Sequence, residues 1–139
     1  MTYLLDTNVH SELRRDDRAE PAVVKWASGC RVEDFFLSAI TILEIELGVL
    51  RLARRDTAQA KPLRAWVEKT VKDFAGQIIP IDADITLQCA ALHVPNPRPD
   101  RDAFIAATAL VHNLTVVTRN VRDFEGTGVK VLNPWTAGA

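Results

Sequence analysis

Short apolar runs along this chain alternate with longer stretches in which apolar residues recur at helical spacing. The short runs predict five strands, at Tyr3–Leu5, Phe35–Leu37, Ile78–Ile81, Val116–Thr118 and Val129–Leu132. They are continuously apolar, which is typical of parallel strands buried on both faces. The longer stretches predict helices at Pro21–Ser28, Thr41–Arg55, Lys61–Phe74, Ala83–Leu92 and Asp102–His112, with a further short helix near Asn8. This alternation predicts an α/β fold in which helices cover both faces of a mainly parallel sheet.

Local signals refine several of these elements. Pro80 predicts that the third strand lies at an edge of the sheet, because proline has no amide hydrogen to donate. Thr41 and Glu44 have the spacing of a capping box at the start of their helix. Asn113 suits the left-handed position that ends the last helix. The three prolines of the segment 94–99 exclude a helix there and predict an extended loop.

The helix predicted from Thr41 is apolar on more than one side. Its apolar residues are Ile42, Leu43, Ile45, Leu47, Val49, Leu50 and Leu52. One face of a sheet cannot cover all of these side chains. We therefore expect a second protein surface, from a twin subunit or a partner, to cover the remainder, and deep burial of the helix is the alternative.

Length and composition bound the class of protein. The chain has 139 residues, of which 47% are hydrophobic and 25% charged, and these ordinary values predict one globular domain spanning residues 1–139. A net charge of -1 excludes a protein that coats nucleic acid with its whole surface, but it allows a local basic rim. Asp6 precedes any apolar leader and no run of about 20 apolar residues follows, so we expect neither a signal peptide nor a membrane span. Cys30 and Cys89 lack metal-ligand spacing and predict buried thiols in a reducing compartment, the cytoplasm.

Four acidic residues fall at one edge of the predicted sheet. Asp6 directly follows the first strand, Glu44 lies in the first turn of the helix after the second, Asp102 opens a helix after the proline loop, and Asp123 comes shortly after the fourth strand. Ligands bind at the carboxyl ends of the strands in open parallel sheets, so we expect the four side chains to share a cleft. Each acid also has a purely structural explanation. Asp6 and Asp123 can cap a helix or turn, Glu44 can close its capping box, and Asp102 can favour the positive end of its helix.

Four carboxylates in one cleft would repel one another. Two of them about 5 Å apart repel by roughly 3 kcal/mol at an effective dielectric constant of about 20. Such a cluster must bind protons or a cation, and all-oxygen ligands favour Mg²⁺ or Mn²⁺ over zinc. The other candidate ligands are expected to lie elsewhere: Glu46 and Asp100 outside the cleft, and His10, His93 and His112 on the surface or in the core.

Mg²⁺ held by carboxylates can activate a water molecule and stabilise the charge on a phosphodiester during in-line attack. This chemistry needs no Ser, Cys or His nucleophile. It does need positive side chains to hold the polyanion. The candidates are Arg14, Arg15, Arg18, Arg98, Arg101, Arg119 and Arg122, each of which could equally be ordinary surface charge.

Four segments, in this order and at this spacing, carry a family resemblance: Leu4–Asn8, Ser38–Gly48, Asp102–Ala109 and Thr118–Phe124. They resemble PIN domains, and among these the VapC/FitB-like toxin ribonucleases of type II toxin–antitoxin systems. The resemblance runs from about residue 3 to Trp135. It implies a three-layer α/β/α fold with a central mainly parallel sheet, and Mg²⁺- or Mn²⁺-dependent cleavage of RNA. The loop from Pro95 to Asp100 departs from the family pattern, because it is richer in proline than the resemblance implies.

The resemblance also assigns roles to residues. The catalytic and metal-binding acids of the family fall on Asp6, Glu44, Asp102 and Asp123. Polar positions that support the metal or its waters match Thr7, Asn8, Thr118 and Asn120. For contact with the RNA we expect Arg98, Arg101, Arg119 and Arg122. The family further implies a homodimer, and a cognate antitoxin that wraps the toxin and places a basic side chain in the acidic cleft.

Two other functions compete with this interpretation. A phosphatase or phosphotransferase of the haloacid-dehalogenase type would use Asp6 as a nucleophile, but Asn8 stands where such a site needs a second acid. A PIN-like module that binds RNA or protein without cutting would be marked by the loss of one acid, and all four are present. We therefore expect a metal-dependent endoribonuclease.

Overall fold

The computed structural model describes residues 1–137 and contains five strands and six α-helices in that range. In chain order they are β1 (Tyr3–Leu5), α1 (Thr7–Leu13), α2 (Pro21–Ser28), β2 (Phe35–Ser38), α3 (Ala39–Arg55), α4 (Thr57–Asp73), β3 (Ile78–Ile79), α5 (Ala83–Leu92), α6 (Asp100–His112), β4 (Thr115–Val117) and β5 (Val131–Leu132). Three short 3₁₀ turns lie at Asp16–Arg18, Val32–Asp34 and Val121–Phe124. The predicted α/β class is confirmed.

The five strands form one sheet in the order β3-β2-β1-β4-β5, and every neighbouring pair is parallel. In the register of the central pairs, Leu4 of β1 lies beside Phe36 on one side and Val116 on the other. The third strand is at an edge, as Pro80 predicts, and it ends at Ile79, immediately before that proline. The last strand begins at Val131, two residues later than predicted, and Gly128 precedes it with a φ of 82°.

The helices match the predictions except at their starts. The capping box predicted for Thr41 and Glu44 is wrong: β2 runs straight into α3, and the Ser38 hydroxyl caps the helix by accepting a hydrogen bond from the Ile40 amide at 3.0 Å. The start of α4 is also earlier than predicted, because Asp56 caps it and Pro62 is tolerated inside the helix. Asn113 ends α6 in the left-handed conformation, with φ 55° and ψ 50°, as predicted.

Helices cover both faces of the sheet and produce three layers. Leu4 and Val116 pack on one face against α5 and α6, where Ile85 and Ile105 are fully buried. Leu5 and Val117 pack on the opposite face against α1, α2 and the end of α4. The two cysteines are free thiols, with Cys89 buried and Cys30 half-buried. Within residues 1–137 no helix is long and apolar enough to cross a membrane.

The apolar surface of α3 is covered mainly from within the chain. Its buried residues Ile45 and Val49 pack against Val67 of α4 in a separate small core. Two side chains on the outer surface stay open, since Leu43 is 45% exposed and Leu50 is 51% exposed. Helix α4 thus covers part of the apolar surface of α3, and an apolar patch at Leu43 and Leu50 remains exposed.

Candidate active site

The candidate site lies where the order of the strands reverses. The chain leaves β1 at Asp6 and leaves β4 at Thr118, and these two strands are neighbours in the middle of the sheet. The Asp6 amide donates a hydrogen bond to the Val117 carbonyl at 2.9 Å, so the pairing continues up to the start of the site. A crevice forms at such a switch point because the connections on either side leave toward opposite faces of the sheet.

Asp6 is buried, with only 6% of its surface exposed, and both of its carboxylate oxygens accept hydrogen bonds. Oδ1 accepts from the Thr7 amide at 2.8 Å, which makes Asp6 the N-cap of α1. Oδ2 accepts from the Thr118 hydroxyl at 2.8 Å and from Asn8 Nδ2 at 3.3 Å. Asp6 therefore caps its helix, as its structural explanation requires, and also faces the cleft from a fixed position.

The polar residues predicted to support the site form a connected network around Asp6. Thr118 Oγ1 accepts hydrogen bonds from the Asn8 side chain at 3.3 Å and from the Asn120 backbone amide at 3.0 Å. Asn8 Oδ1 in turn accepts from the Arg119 amide at 3.2 Å. Asn120 takes part in this network through its backbone. These bonds tie the end of β4 to the first turn of α1.

Glu44 is held by the first residue of α1. The Thr7 hydroxyl donates to Glu44 Oε1 at 2.7 Å and lies 3.1 Å from the Thr41 hydroxyl. On the other side of Glu44, Oε2 is 3.9 Å from Nη1 of Arg101, a loose ion pair with the first turn of α6. Glu44 thus connects three helices, and Thr41 is a supporting residue that the sequence analysis assigned only to a helix cap.

Asp102 and Asp123 complete the set of four acids. Asp102 is half-buried in the first turn of α6, and Asp123 is exposed in the 3₁₀ turn Val121–Phe124. The pKa of Asp102 is raised to about 6, first by burial and then by the charges of Asp123, Asp6 and Glu44. Burial also raises the pKa of Asp6, against the hydrogen bonds from Thr118 and Thr7, and the charges of Glu44 and Asp123 add to that rise. The charges of Glu44 and Asp123 therefore act on both Asp6 and Asp102.

The donor set has the chemistry of a site for a hard divalent cation. It offers carboxylate oxygens, with hydroxyls and an amide behind them, and the mutual repulsion of the acids would be relieved by positive charge. The acids are nevertheless not gathered into a cage: within residues 1–137 no three His, Cys, Asp or Glu residues are close enough to ligate one ion together. Mg²⁺ usually keeps several of its waters, so a hydrated ion suits an open set of this kind better than a fully dehydrated one.

The acids and histidines expected outside the cleft do lie outside it. Glu46 forms a two-pronged ion pair with Arg64 of α4, and Asp100 is 84% exposed with its carboxylate 3.4 Å from His93 Nε2. His10 is buried with its ring stacked on Trp66, and burial lowers its pKa to about 4.

The four arginines expected to contact RNA have different surroundings. Arg122 and Arg119 line an open cavity of about 360 Å³ together with Asp123. The Arg119 guanidinium lies 5.1 Å from the centre of the Trp135 ring, a contact that sequence reasoning missed because the two residues are far apart along the chain. Arg101 reaches toward Glu44. Arg98 points elsewhere: its guanidinium donates to the backbone carbonyls of Leu92 and Glu125 at 3.1 and 2.8 Å.

Comparison with known proteins places these features in a family. The model of the PIN domain family matches residues 3–130. The chain is 38% identical to toxin FitB of Neisseria gonorrhoeae over 138 residues, which covers 95% of this chain and 97% of FitB. It is 35% identical to VapC ribonuclease Y4jK of Sinorhizobium fredii over 141 residues, covering 95% of this chain and 96% of the relative. The crystal structure of FitAcB from Neisseria gonorrhoeae superposes with a TM-score of 0.87 at 36% identity, over 97% of this chain and 99% of that one.

Proposed function

Because this chain belongs to the PIN domain family, we propose that it is an endoribonuclease, the toxin of a type II toxin–antitoxin pair, which hydrolyses RNA with the help of Mg²⁺ or Mn²⁺. Relatives named as ribonuclease and toxin match nearly its whole length, so the proposal concerns the complete domain and not a shared fragment. The catalytic acids in this proposal are Asp6, Glu44, Asp102 and Asp123.

One observation carries the assignment of the site. Acids from separate segments meet at one sheet edge: Thr7 donates hydrogen bonds to both Asp6 and Glu44. The charges of Asp123, Asp6 and Glu44 add to burial in raising the pKa of Asp102. A protein gains no stability from such an arrangement, since each ionised acid is opposed by the others. A cation that enters the cleft would relieve this repulsion, and it could also bind a polyanion there.

The chain's own groups have separate tasks in this reaction. Asp6 is fixed by its three hydrogen-bond donors and gives the cleft an immobile carboxylate. Glu44 is oriented by the Thr7 hydroxyl, while Asp102 and Asp123 are contributed by the first turn of α6 and the 3₁₀ turn Val121–Phe124. A divalent cation held by these carboxylates would polarise the phosphodiester and favour deprotonation of the attacking water. In the hydrolysis the water oxygen bonds to phosphorus, one P–O ester bond breaks, and the departing alcohol oxygen takes up a proton.

The substrate is held by positive charge beside the acids. Arg119 and Arg122 line the cavity next to Asp123, where they can contact phosphates on either side of the cleaved bond. Arg101 can serve the same purpose once a cation has replaced it beside Glu44. With a net charge of -1 for the whole chain, we expect modest RNA affinity that falls as salt rises.

The proposed partners are a cognate antitoxin and a second copy of the chain. The structures that resemble this one include FitAB bound to a DNA fragment, at 36% identity and a TM-score of 0.85. The open patch at Leu43 and Leu50 is our candidate for the homodimer contact, because a two-fold dimer brings the same patch of both copies together and buries these side chains. We place the reaction in the cytoplasm, where RNA and reduced thiols are found.

The test is cleavage of single-stranded RNA by the purified chain after removal of any bound antitoxin. We expect cleavage with Mn²⁺ and none with a chelator. Asp6→Asn should abolish it while the far-ultraviolet circular dichroism stays unchanged. The matched control is Asp84→Asn, which removes an exposed acid from the first turn of α5 and should cleave normally. Intact RNA at high concentrations of wild-type protein would instead identify a module that binds without cutting.

A further inference from the structure

Arg98 joins two segments of the chain that are distant in sequence. Its Nε donates to the Leu92 carbonyl at the end of α5, and its Nη1 donates to the Glu125 carbonyl beyond the 3₁₀ turn Val121–Phe124. Its backbone amide donates to Nδ1 of His93 at 3.1 Å. Hydrogen bonds therefore hold Arg98 through Nε, through Nη1 and through its backbone amide.

The chain leaves room for this guanidinium by placing a glycine beside it. Gly126 has a φ of 79°, and a Cβ atom added there would lie 2.8 Å from Arg98 Nη2. That distance is shorter than any ordinary carbon–nitrogen contact. Gly126 thus serves two needs at once, the positive φ of the loop and the close approach of the Arg98 side chain.

The guanidinium group of Arg98 donates its hydrogen bonds to neutral carbonyl groups. Among the residues that the structure describes, no carboxylate oxygen lies within 4 Å of its guanidinium nitrogens, in contrast to Arg64 or Arg101. Hydrogen bonds from a charged donor to carbonyls are stronger than those between neutral groups. A half-buried arginine used in this way acts as a cross-link in the fold, and it is poorly placed to reach a phosphate.

The cross-linked segments are those that carry two of the four acids. Asp102 lies four residues after Arg98, and Asp123 lies two residues before Glu125. Asp123 is exposed, and the turn that bears it is only four residues long. Phe124 anchors this turn in the core beside Ala103 and Ala106 of α6, and the bond from Arg98 to the Glu125 carbonyl adds a second anchor at the end of the turn.

We propose that Arg98 is a positioning residue that sets the distance between Asp102 and Asp123 by clamping the turn of Asp123 to the loop that leads into α6. This role deepens the proposed function and rests on it, since the spacing of these two acids matters for holding a divalent cation. Arg98 is thereby removed from the set of RNA contacts and given a task inside the protein.

Hydrogen exchange of the metal-free chain tests the clamp without reference to activity. The amides of Asp123, Glu125 and Thr127 are hydrogen-bonded within the turn and should be protected in the wild type. In Arg98→Ala we expect these amides to exchange about tenfold faster or more, while amides of the central sheet are unchanged. Arg98→Lys, which keeps the charge but loses the planar fork of guanidinium donors, should be intermediate. Equal acceleration throughout the molecule, or none in the turn, would overturn the proposal.

A pair of glycine variants tests the same contact from the other side. Gly126→Ala introduces a Cβ against Arg98 and also strains the positive φ. Gly128→Ala is the matched control, because its φ of 82° is equally strained and its Cβ would meet nothing within 4 Å. Faster exchange in the turn of Asp123 is expected for Gly126→Ala beyond that of Gly128→Ala. Identical behaviour of the two variants would remove Gly126 and Arg98 from the proposed clamp.

A titration with Mn²⁺, followed by the melting temperature, measures the consequence for the site. We expect Arg98→Ala to raise the Mn²⁺ concentration that gives half of the stabilisation by about tenfold, as removal of groups behind metal ligands commonly does. Arg31→Ala, a 77% exposed arginine before β2 and thus at the opposite edge of the sheet, should leave that concentration unchanged. An equal loss of melting temperature at every Mn²⁺ concentration would mean that Arg98 is merely structural. A wild type that does not respond to Mn²⁺ would refute the proposed function, and hydrogen exchange would still decide on the clamp.

Discussion

Asp102→Asn should stabilise the metal-free protein at neutral and alkaline pH. The pKa of Asp102 is raised from 3.8 to about 6 in the folded chain, by burial and by the charges of Asp123, Asp6 and Glu44. A raised carboxyl pKa means that the folded state binds a proton more tightly than the unfolded state. Ionisation of Asp102 therefore lowers the free energy of unfolding. This loss of stability is absent below pH 3.8, develops between pH 3.8 and about 6, and is fully present above that range. Asparagine keeps the shape of the side chain and carries no charge, so it removes the penalty.

The size of the effect follows from that shift. Moving the pKa from 3.8 to about 6 corresponds to about 3 kcal/mol for a group fully shielded from water. Asp102 is half-buried, and solvent screening reduces this to about 1–2 kcal/mol. For a chain of 139 residues we expect the melting temperature to rise by about 3–6 °C at pH 8. At pH 4.5 the gain should be clearly smaller, because a large share of the folded molecules then carry a neutral Asp102.

The assay is thermal unfolding in a chelator at pH 8 and pH 4.5. Asp100→Asn is the matched control, since it removes an acid from the same first turn of α6 but from a side chain that is 84% exposed. It therefore reports what the loss of a negative charge does to the helix end. The reasoning is refuted if Asp102→Asn is no more stable than Asp100→Asn at pH 8, or if its gain is larger at pH 4.5 than at pH 8.

Three further predictions concern residues around the site and the surface. Burial lowers the pKa of His10 from 6.5 to about 4, so it contributes up to about 3 kcal/mol of stability above pH 6.5 that is lost as the pH falls to about 4. Denaturant midpoints measured across this range should therefore fall less in His10→Phe than in the wild type, and parallel curves would contradict this. Thr118→Val removes one of the three hydrogen-bond donors to buried Asp6 and should cost about 1–3 kcal/mol in urea unfolding, whereas Thr118→Ser should cost clearly less. The double variant Leu43→Lys and Leu50→Lys should sediment as a monomer if the wild type is a dimer, and a persistent dimer would place the contact elsewhere.

Much of the site was predictable because topology and local sequence agree. Asp6 directly follows a continuously apolar strand, and the carboxyl ends of parallel strands must share one edge of their sheet. The spacing of the helix from Asp102 likewise indicated that this acid, and not Asp100, turns inward. The confirmed fold required only the period of the apolar residues and the position of Pro80.

Other features depend on distances that no local pattern encodes. The hydrogen bond from Thr7 to Glu44 needs the relative rotation of α1 and α3, which packing in three dimensions decides. The same rotation brings Thr41 to Thr7 and leaves the helix cap to Ser38. Arg98 is adjacent to the acids in sequence, which suggested contact with RNA, yet its partners are two carbonyls that only the folded chain brings together.

The spacing of the four acids follows from how each is held. Asp6 is fixed by hydrogen bonds from three donors, which satisfy its oxygens but leave its negative charge in place. Repulsion then acts on the acids with fewer bonds, and Arg101 at 3.9 Å from Glu44 offsets only part of it. Within residues 1–137 no three acids approach ligating distance of one ion, so a divalent cation held there would keep part of its water shell. The clamp proposed for Arg98 would keep the turn of Asp123 at a set distance from α6, so that a cation entering the cleft would meet Asp102 and Asp123 at a fixed spacing.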